Sequence, residues 1–285
     1  MILIVRTLRD AIAQITDAFN QAGVDNPRLD ARVLIAHVIQ AETSQTFTRH
    51  ETLLTAEQEA VLAGLVQRRL AREPVSRIIG HREFWGLDFN VTPATLDPRA
   101  DTEILISAVI DHTKRLSLIQ PRILDLGTGT GCIVLALAHA LPGSTGIGTD
   151  LSEPALRVAQ QNARKYDLSE RVNFARMSWA EGLSGPFDII TSNPPYLSAH
   201  DLQHLSPEVV YDPVHALDGG GDGLDCYRAI IADVSRLARQ PTILTLEVGF
   251  RQAAQVVQML EAAALRVVEI RSDLASIPRC VVVEI

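Results

Sequence analysis

The chain has 285 residues, of which 47% are hydrophobic and 21% charged, as is typical of a globular protein with a substantial core. The formal net charge of −8 falls entirely on residues 81–285, because residues 1–80 hold nine basic and nine acidic side chains. No basic stripe is visible, which argues against a protein whose main task is to grip a nucleic-acid backbone.

The sequence predicts neither a membrane span nor a secreted protein. The apolar runs are too short to cross a bilayer, and Met1–Val5 is followed at once by charged residues, unlike a signal peptide. The three cysteines, Cys132, Cys226 and Cys280, are an odd number without metal-ligand spacing. We therefore expect buried, reduced thiols, no bound metal and a cytoplasmic protein.

The first 80 residues show helical periodicity. Thr7 is placed to cap the first helix, and Thr55 the third, with a glutamine three residues on as in a capping box. We predict a small helical domain over residues 1–80. Its apolar residues recur every three or four positions over 7–22, 28–40 and 56–72.

Residues 81–100 have a different character. Aromatic residues are frequent between Glu83 and Val91, and apolar and polar side chains alternate from Leu87 onward. This pattern predicts a β-hairpin or a short pair of strands, which we interpret as a linker between two domains. A turn follows and leads into a predicted helix over about 103–118.

From Pro121 onward, strand patterns alternate with helical patterns, which places an α/β domain over residues 101–285. Such units imply a mostly parallel, seven-stranded sheet with helices on both faces. Only residues 272–279 separate the last two strands, so the last strand should run antiparallel to its neighbour. The predicted helices cover 131–140, 153–166, 224–239 and 250–263. The predicted strands are Arg122–Leu126, Gly146–Asp150, Val172–Met177, Asp188–Ser192, Ile243–Val248, Arg266–Arg271 and Cys280–Ile285.

The first of these strands runs into a glycine loop and then a helix. Glycines at 127, 129 and 131 allow positive φ and close approach of a ligand, and the helix beyond them offers free N–H groups. The next strand ends in Asp150, whose carboxylate can accept hydrogen bonds from both hydroxyls of a ribose. We therefore predict a cofactor site at this loop.

Two cofactors are compatible with this outline. The dinucleotide fingerprint Gly-x-Gly-x-x-Gly is not met, because its third position is Cys132 when counted from Gly127 and Val134 when counted from Gly129. The Gly-x-Gly-x-Gly spacing instead resembles the first motif of the S-adenosylmethionine-dependent methyltransferases. That resemblance implies a Rossmann-like class I methyltransferase fold, with the loop around the methionine part of the cofactor and Asp150 on its ribose.

The sequence Asn193-Pro194-Pro195-Tyr196 directly follows an apolar run. Its two prolines fix φ at about −65° and carry no N–H, so the turn holds one shape. The side-chain oxygen of Asn193 and a backbone carbonyl can accept the two hydrogens of an NH2 group, while Tyr196 stacks on its plane. The motif therefore predicts a pocket for a planar substrate that carries an NH2 group.

Further motifs are spread over most of the chain. They are Pro74-Val75 with Gly80, Phe84-Trp85-Gly86-Leu87, Phe89-x-Val91, Pro98-Arg99-x-Asp101-Thr102-Glu103, Leu124–Gly129, Ser192–Tyr196 and Gly221–Asp225. With them the chain resembles the amino-methyltransferases, and among these the protein-(glutamine-N5) methyltransferases that modify the Gly-Gly-Gln loop of peptide chain release factors. The resemblance runs from about residue 7 to the C-terminus and includes the helical domain.

This resemblance implies a role for each motif residue. Asn193, Pro194 and Tyr196 carry over as catalytic residues, and together with Pro195 they form the glutamine pocket. Trp179 falls where the family has an aromatic side chain against the adenine, although one residue fewer separates it from Asn193 than in many members. The implied S-adenosylmethionine contacts are Gly127, Thr128, Gly129, Thr130, Gly131, Asp150, Trp179 and Asn193.

Two departures from the family pattern lie outside the glycine loop and the Asn-Pro-Pro-Tyr motif. Ala100 stands where the family usually has proline, and Ile277–Cys280 replaces the common Gly-x-Asp-Arg. The resemblance implies a class 1 release factor as protein substrate, docked by the N-terminal helices, with no nucleic acid or membrane as partner. We expect a monomer.

Other functions remain open on the sequence. A glutamine methyltransferase of a ribosomal protein would share the core motifs, and only the N-terminal helices would distinguish it. A DNA adenine N6-methyltransferase would need a target-recognition region or a basic face, and neither is evident. A non-catalytic binding module with this fold is disfavoured, because the glycine loop, Asp150 and Asn193–Tyr196 are intact.

Several polar residues near the motifs carry weaker hypotheses. Arg99 and Glu103 are equally compatible with a structural ion pair and with a role at the site. Glu247 ends the fifth strand, and we interpret it as a capped carboxylate of the core. Three histidines without metal spacing are interpreted as solvated or structural: His200, His204 and His215.

Overall fold

The computed structural model describes residues 7–285 of the chain. The apolar run Met1–Val5, which the sequence distinguishes from a signal peptide, lies outside the described residues. The chain divides into two compact units. The helical unit comprises the residues up to Gly80 together with Ser206–Tyr211, and the sheet unit comprises His81–Leu205 and Asp212–Ile285.

Two helices of the helical unit begin at the predicted caps. Thr7 Oγ1 accepts a hydrogen bond from a backbone N–H of the first turn (3.2 Å), and Thr55 with Gln58 forms the capping box. The apolar faces of the helices in this unit meet in one core around the fully buried Phe19. The 3-10 turn Thr43–Phe47 and the short helix Val75–Ile79 were not predicted. The helices are α1 (Leu8–Gln21), α2 (Pro27–Val38), α3 (Ala56–Leu70) and α4 (Val75–Ile79).

The segment Ser206–Tyr211 is held in the helical unit by charged hydrogen bonds. Arg72 binds Glu208 in a bidentate way, with Nε 2.7 Å from Oε1 and Nη2 2.8 Å from Oε2. Arg69 also contacts Glu208 (3.3 Å) and pairs with the buried Asp30 (2.7 Å). Bidentate arginine–carboxylate contacts are strong and directional, which explains why a segment so distant in sequence joins these helices.

The sheet unit begins with the predicted hairpin. Strands β1 (His81–Phe84) and β2 (Leu87–Asn90) pair antiparallel across a turn at Trp85 and Gly86. The helices of this unit are α5 (Glu103–Arg115), α6 (Cys132–Ala140), α7 (Glu153–Lys165), α8 (Asp225–Leu237) and α9 (Ala253–Ala262). The remaining strands are β3 (Arg122–Leu126), β4 (Thr145–Asp150), β5 (Val172–Arg176), β6 (Phe187–Ser192), β7 (Ala238–Glu247), β8 (Arg266–Ser272) and β9 (Pro278–Glu284).

These seven strands form one sheet in the order β5-β4-β3-β6-β7-β9-β8. The first four pairings are parallel, and β9 runs antiparallel to both of its neighbours, which confirms the prediction for the last strand. Successive strand residues belong to cores on opposite faces, as Ile123 and Leu124 show. Within residues 7–285, none of the helices combines the length and apolar character that a membrane crossing requires.

Several predictions in this unit were wrong. Strand β7 begins at Ala238 rather than at Ile243, α8 ends at Leu237 rather than at residue 239, and α9 begins at Ala253 rather than at residue 250. Pro241 donates no ladder hydrogen bond, yet Ala238 already pairs with Phe187 ahead of an irregularity in register. The cysteines are not disulfide-bonded, but only two of them are buried: Cys226 is half-buried.

Asn162 on α7 connects the hairpin to the glycine loop. Its side chain is fully buried, and its Oδ1 accepts a hydrogen bond from the Asn90 N–H (2.8 Å). Its Nδ2 donates to the carbonyls of Asn90 (3.2 Å) and Thr130 (2.9 Å). One amide therefore satisfies the buried carbonyl of Thr130 and two partly buried backbone groups of Asn90 at the point where the loop must be held.

We expect Asn162→Ala to lower the free energy of unfolding of the sheet unit by about 1–3 kcal/mol, because it leaves buried backbone groups without partners. Urea unfolding followed by circular dichroism measures the change. The control is Gln161→Ala at the exposed neighbouring position, which should stay within about 0.5 kcal/mol of the parent. Equal effects of the two substitutions would contradict this role.

Candidate active site

The register of the parallel strands aligns four residues that the sequence singles out. Leu126 of β3 pairs with Thr149 of β4 and with Ser192 of β6, and Ser192 pairs with Leu246 of β7. The next residue on each of these four strands is Gly127, Asp150, Asn193 and Glu247. They stand in one row at the carboxyl edge of the sheet, where ligands bind in folds of this type.

The glycine loop is fixed to the neighbouring strand by hydrogen bonds. Gly127, Gly129 and Gly131 have φ of 72°, 54° and 79°, a region that favours glycine. The N–H of Gly129 donates to Asp150 Oδ2 (2.9 Å), and the N–H of Ser152 donates to Oδ1 (2.8 Å). Each carboxylate oxygen is thus oriented by one backbone donor and keeps a further lone pair for a ligand.

Thr128 of the loop is held by a buried carboxylate. Its Oγ1 donates to Asp125 Oδ2 (2.6 Å), and its N–H donates to the Thr149 carbonyl (2.8 Å). Burial raises the pKa of Asp125 to about 7, and its Oδ1 has no hydrogen-bond partner within residues 7–285. A buried carboxylate of the sheet, that of Asp125, therefore fixes the position of Thr128 in the loop.

A cavity of about 750 Å³ opens at this edge, within the range usual for ligand sites. The indole of Trp179 lies beside the loop, since a Cβ on Gly127 would be 3.7 Å from its Cζ3. Of the residues assigned to the site, six line the cavity: Gly127, Gly129, Asp150, Trp179, Asn193 and Pro195. The others lie outside its lining: Thr128, Thr130, Gly131, Pro194 and Tyr196.

Asn193 is oriented by a residue for which the sequence assigned no role. Its Nδ2 donates to Thr102 Oγ1 (3.2 Å), whereas its Oδ1 accepts no hydrogen bond from residues 7–285. Thr102 is 2% exposed, and the Glu247 carboxylate lies close enough to its hydroxyl to affect the pKa of that carboxylate. A hydroxyl that accepts from an amide can donate its own hydrogen to a nearby carboxylate, so the three side chains are placed to form a chain with one consistent direction.

Glu247 is buried at 3% exposure, and its Oε2 has no hydrogen-bond partner among the described residues. Burial raises its pKa to about 7, against the opposing effect of the Thr102 hydrogen bond. The sequence interpretation of a capped core carboxylate is therefore incomplete. Its Oε2 is unsatisfied, and the carboxylate lies beside Thr102, which accepts a hydrogen bond from Asn193.

Two glycines lie against the backbone of the turn at Tyr196. The carbonyl of Tyr196 accepts a hydrogen bond from Gln252 Nε2 (2.9 Å), and burial raises the pKa of its phenol. A Cβ on Gly223 would lie 2.5 Å from the Tyr196 carbonyl oxygen, and one on Gly219 would lie 2.8 Å from its Cα. The glycine-rich segment after the motif thus allows close approach of two backbones.

The polar residues to which the sequence gave weaker hypotheses have different surroundings in the structure. Arg99 forms an ion pair with Asp212, and Glu103 accepts a hydrogen bond from the Trp85 N–H (2.9 Å). His215 lines the cavity, while His200 and His204 are exposed and stack on each other.

Sequence reasoning missed some of the cavity lining. Leu151 and Met177 lie there, and both directly follow a strand end, which was the signal that could have found them. Within residues 7–285, no cluster of three or more histidine, cysteine or acidic side chains is arranged to hold a metal ion.

Comparison with known families assigns both parts of the chain. Residues 10–80 match the model of the PrmC N-terminal domain, and residues 96–224 match the methyltransferase small domain. The fold agrees with solved structures: the hMettl16 catalytic domain in complex with a MAT2A 3′UTR hairpin superposes with a TM-score of 0.59 at 16% identity. That alignment covers 87% of this chain and 90% of the other.

Curated relatives of high similarity share one description. The release factor glutamine methyltransferase of Rhodospirillum rubrum is 45% identical, over 91% of this chain and 79% of its own length. The enzyme of the same description from Bradyrhizobium diazoefficiens is 41% identical over 97% and 94%, and that of Moorella thermoacetica 38% identical over 96% and 97%. Identity of this extent across both units, on a methyltransferase fold, places the chain in the family of release factor glutamine methyltransferases.

Proposed function

We propose that the chain transfers a methyl group from S-adenosylmethionine to the side-chain amide nitrogen of the glutamine in the Gly-Gly-Gln motif of class 1 peptide chain release factors. The observation that carries the proposal is the orientation of Asn193. Its amide nitrogen is engaged by Thr102, which leaves Oδ1 free beside the cavity bounded by the glycine loop and Asp150. The names of the relatives support the choice of acceptor.

The cofactor residues fit a nucleoside with an amino-acid tail. The oriented carboxylate of Asp150 would accept both ribose hydroxyls, Trp179 would pack against the adenine, and the glycine loop would hold the methionine part. When bound, S-adenosylmethionine supplies the methyl group: its C–S bond pair returns to sulfur as the new N–C bond forms.

The acceptor residues act mainly by orientation. An amide nitrogen is a poor nucleophile because its lone pair is delocalised into the carbonyl. Asn193 Oδ1 and the Pro194 carbonyl would accept its two hydrogens and aim the nitrogen along the line of transfer. These contacts favour the pyramidal, positively charged nitrogen of the transition state, and positioning of this kind can contribute roughly 7–11 kcal/mol. The surplus proton leaves to solvent, so no strong base is needed.

The remaining parts of the proposal concern the partner. We propose that the helical unit docks the release factor in the cytoplasm and that the enzyme acts as a monomer without nucleic acid. Tyr196 and Pro195 would pack on the glutamine amide and exclude water. Such packing does not oppose transfer, because the positive charge passes from sulfur to the amide nitrogen without any gain in net charge, and the surplus proton is lost when the product meets solvent.

The decisive experiment incubates the enzyme with S-adenosylmethionine and purified release factor and locates the methyl group by mass spectrometry. We expect one added methyl group on the Gly-Gly-Gln glutamine and none on a factor with Gln→Ala. Asn193→Ala should lower turnover by at least 100-fold with cofactor affinity within about threefold, because it removes the acceptor contact but only one of several contacts to the cofactor. Near-normal methylation by this variant would contradict the proposed role of Asn193. If the parent enzyme methylates a ribosomal protein instead of the release factor, the alternative acceptor is the correct one.

Thr102→Val should lower kcat about 10- to 100-fold, because the valine is nearly the same shape but cannot hold Asn193 Nδ2. Its affinity for S-adenosylmethionine, measured by calorimetry, should stay within about twofold of the parent. The matched variant Thr102→Ser keeps the hydroxyl and should restore most of the activity. If serine loses as much as valine, the hydroxyl is not the group that matters.

Glu247 predicts a pH dependence of kcat. Its pKa of about 7 means that it is ionised and accepts from Thr102 above this pH, and that it is protonated below it and competes for the Thr102 oxygen. We therefore expect kcat to fall as the pH drops through about 7, and Glu247→Gln to abolish this acidic limb. If the fall of kcat at acidic pH persists in the Glu247→Gln variant, it arises from the titration of another group. Other titratable or charged side chains near Glu247 are Arg99, Asp101, Cys132, Tyr196, Tyr227, Arg279 and Cys280.

A further inference from the structure

The helical unit contains a cavity of about 280 Å³ with several basic side chains in its wall. We name it the arginine pocket. Ile12 provides apolar surface, and among the described residues that line the pocket Asp17 is the one carboxylate. The basic groups are Arg9, Arg28, Arg32 and His50. Nothing in the transfer reaction proposed above uses them.

Arg32 is a buried cation without a counter-charge. It is 4% exposed, and its Nη1 donates to the carbonyl (3.0 Å) and to Oγ1 (2.9 Å) of Thr46. Its Cζ lies 3.8 Å from the ring centre of Phe47, and no carboxylate of residues 7–285 pairs with it. Burial, together with the charge of Arg28, lowers the pKa of Arg32. A buried charge is costly unless it is paired, so an anion that enters the pocket would be stabilised.

The other charged side chains of the pocket do not neutralise the charge of Arg32. Arg28 is exposed and forms no hydrogen bond or ion pair through its side chain within the described part of the chain. Arg9 is already paired with Glu51 at 2.5 Å, and Asp17 pairs with none of the three arginines. Two guanidinium groups without ion pairs therefore outweigh one carboxylate.

We propose that the arginine pocket receives an aspartate or glutamate side chain of the protein substrate and so helps to dock it on the helical unit. The proposal rests on the proposed function. A carboxylate matches the planar fork of a guanidinium, and the apolar surface of Ile12 suits the methylene stem of an acidic side chain. A nucleic-acid backbone fits less well, because it needs a run of basic groups, whereas residues 1–80 carry no net charge.

Charge reversal at the rim tests the pocket in the full-length enzyme with full-length release factor. Arg28→Glu should raise KM for the release factor about tenfold, while kcat and the affinity for S-adenosylmethionine stay within about twofold. The matched control is Arg49→Glu, an exposed arginine of the same unit outside the pocket, which should leave KM within about twofold. Circular dichroism verifies that both variants fold.

A rescue experiment identifies the partner group. Acidic surface residues of the release factor are changed to lysine one at a time. For one of these substituted release factors, KM with the parent enzyme should rise. With the Arg28→Glu enzyme, at least half of that increase in KM should be absent. The absence of any rescue, or a KM that Arg28→Glu leaves unchanged, overturns the proposal.

Two other results have distinct meanings. If the parent enzyme does not methylate the release factor at all, the proposed function fails, and the docking proposal that rests on it is overturned with it. If Arg28→Glu leaves KM unchanged but weakens binding of a single-stranded RNA oligonucleotide about tenfold by fluorescence anisotropy, the pocket is a phosphate site and the carboxylate proposal is overturned.

Discussion

The parallel register of β3, β4, β6 and β7 is the constraint from which the site follows. Because Leu126, Thr149, Ser192 and Leu246 stand in one register, the four residues that follow them emerge side by side at one edge. A shift by one residue would turn each of these side chains to the other face of the sheet. The apolar cores on both faces fix that register, so the packing of the sheet also determines the spacing of the reactive groups.

At this edge of the sheet, two buried carboxylates each lie beside the hydroxyl of a threonine. Asp125 accepts a hydrogen bond from the hydroxyl of Thr128 in the glycine loop, and Glu247 lies beside Thr102, which in turn accepts a hydrogen bond from Asn193. Each carboxylate keeps one oxygen without a partner among the described residues, and burial raises the pKa of both to about 7. Burying a half-satisfied acid costs stability, and functional sites are where such costs are usually found.

The sequence was informative where the determinants are local. Strand periodicity, the glycine spacing and the two prolines after β6 sufficed for the sheet and for the row that contains Gly127, Asp150 and Asn193. The sequence could not reveal the bond from Asn193 to Thr102, because 91 residues separate the partners and both are common polar residues. It was equally silent on Glu208, whose place beside Arg72 depends on side-chain geometry across 136 residues.

The orientation of Asn193 shows why the motif requires its surroundings. An isolated asparagine amide has a nitrogen and an oxygen of nearly equal size, and rotation by 180° would present two donors to a substrate that is itself a donor. Thr102 distinguishes the two orientations only while its own hydrogen points elsewhere, and the neighbouring carboxylate of Glu247 is placed to accept that hydrogen. The proposed selectivity of the pocket for an NH2 group therefore depends on three residues from three segments, and Asn193 is the one of the three that lines the cavity.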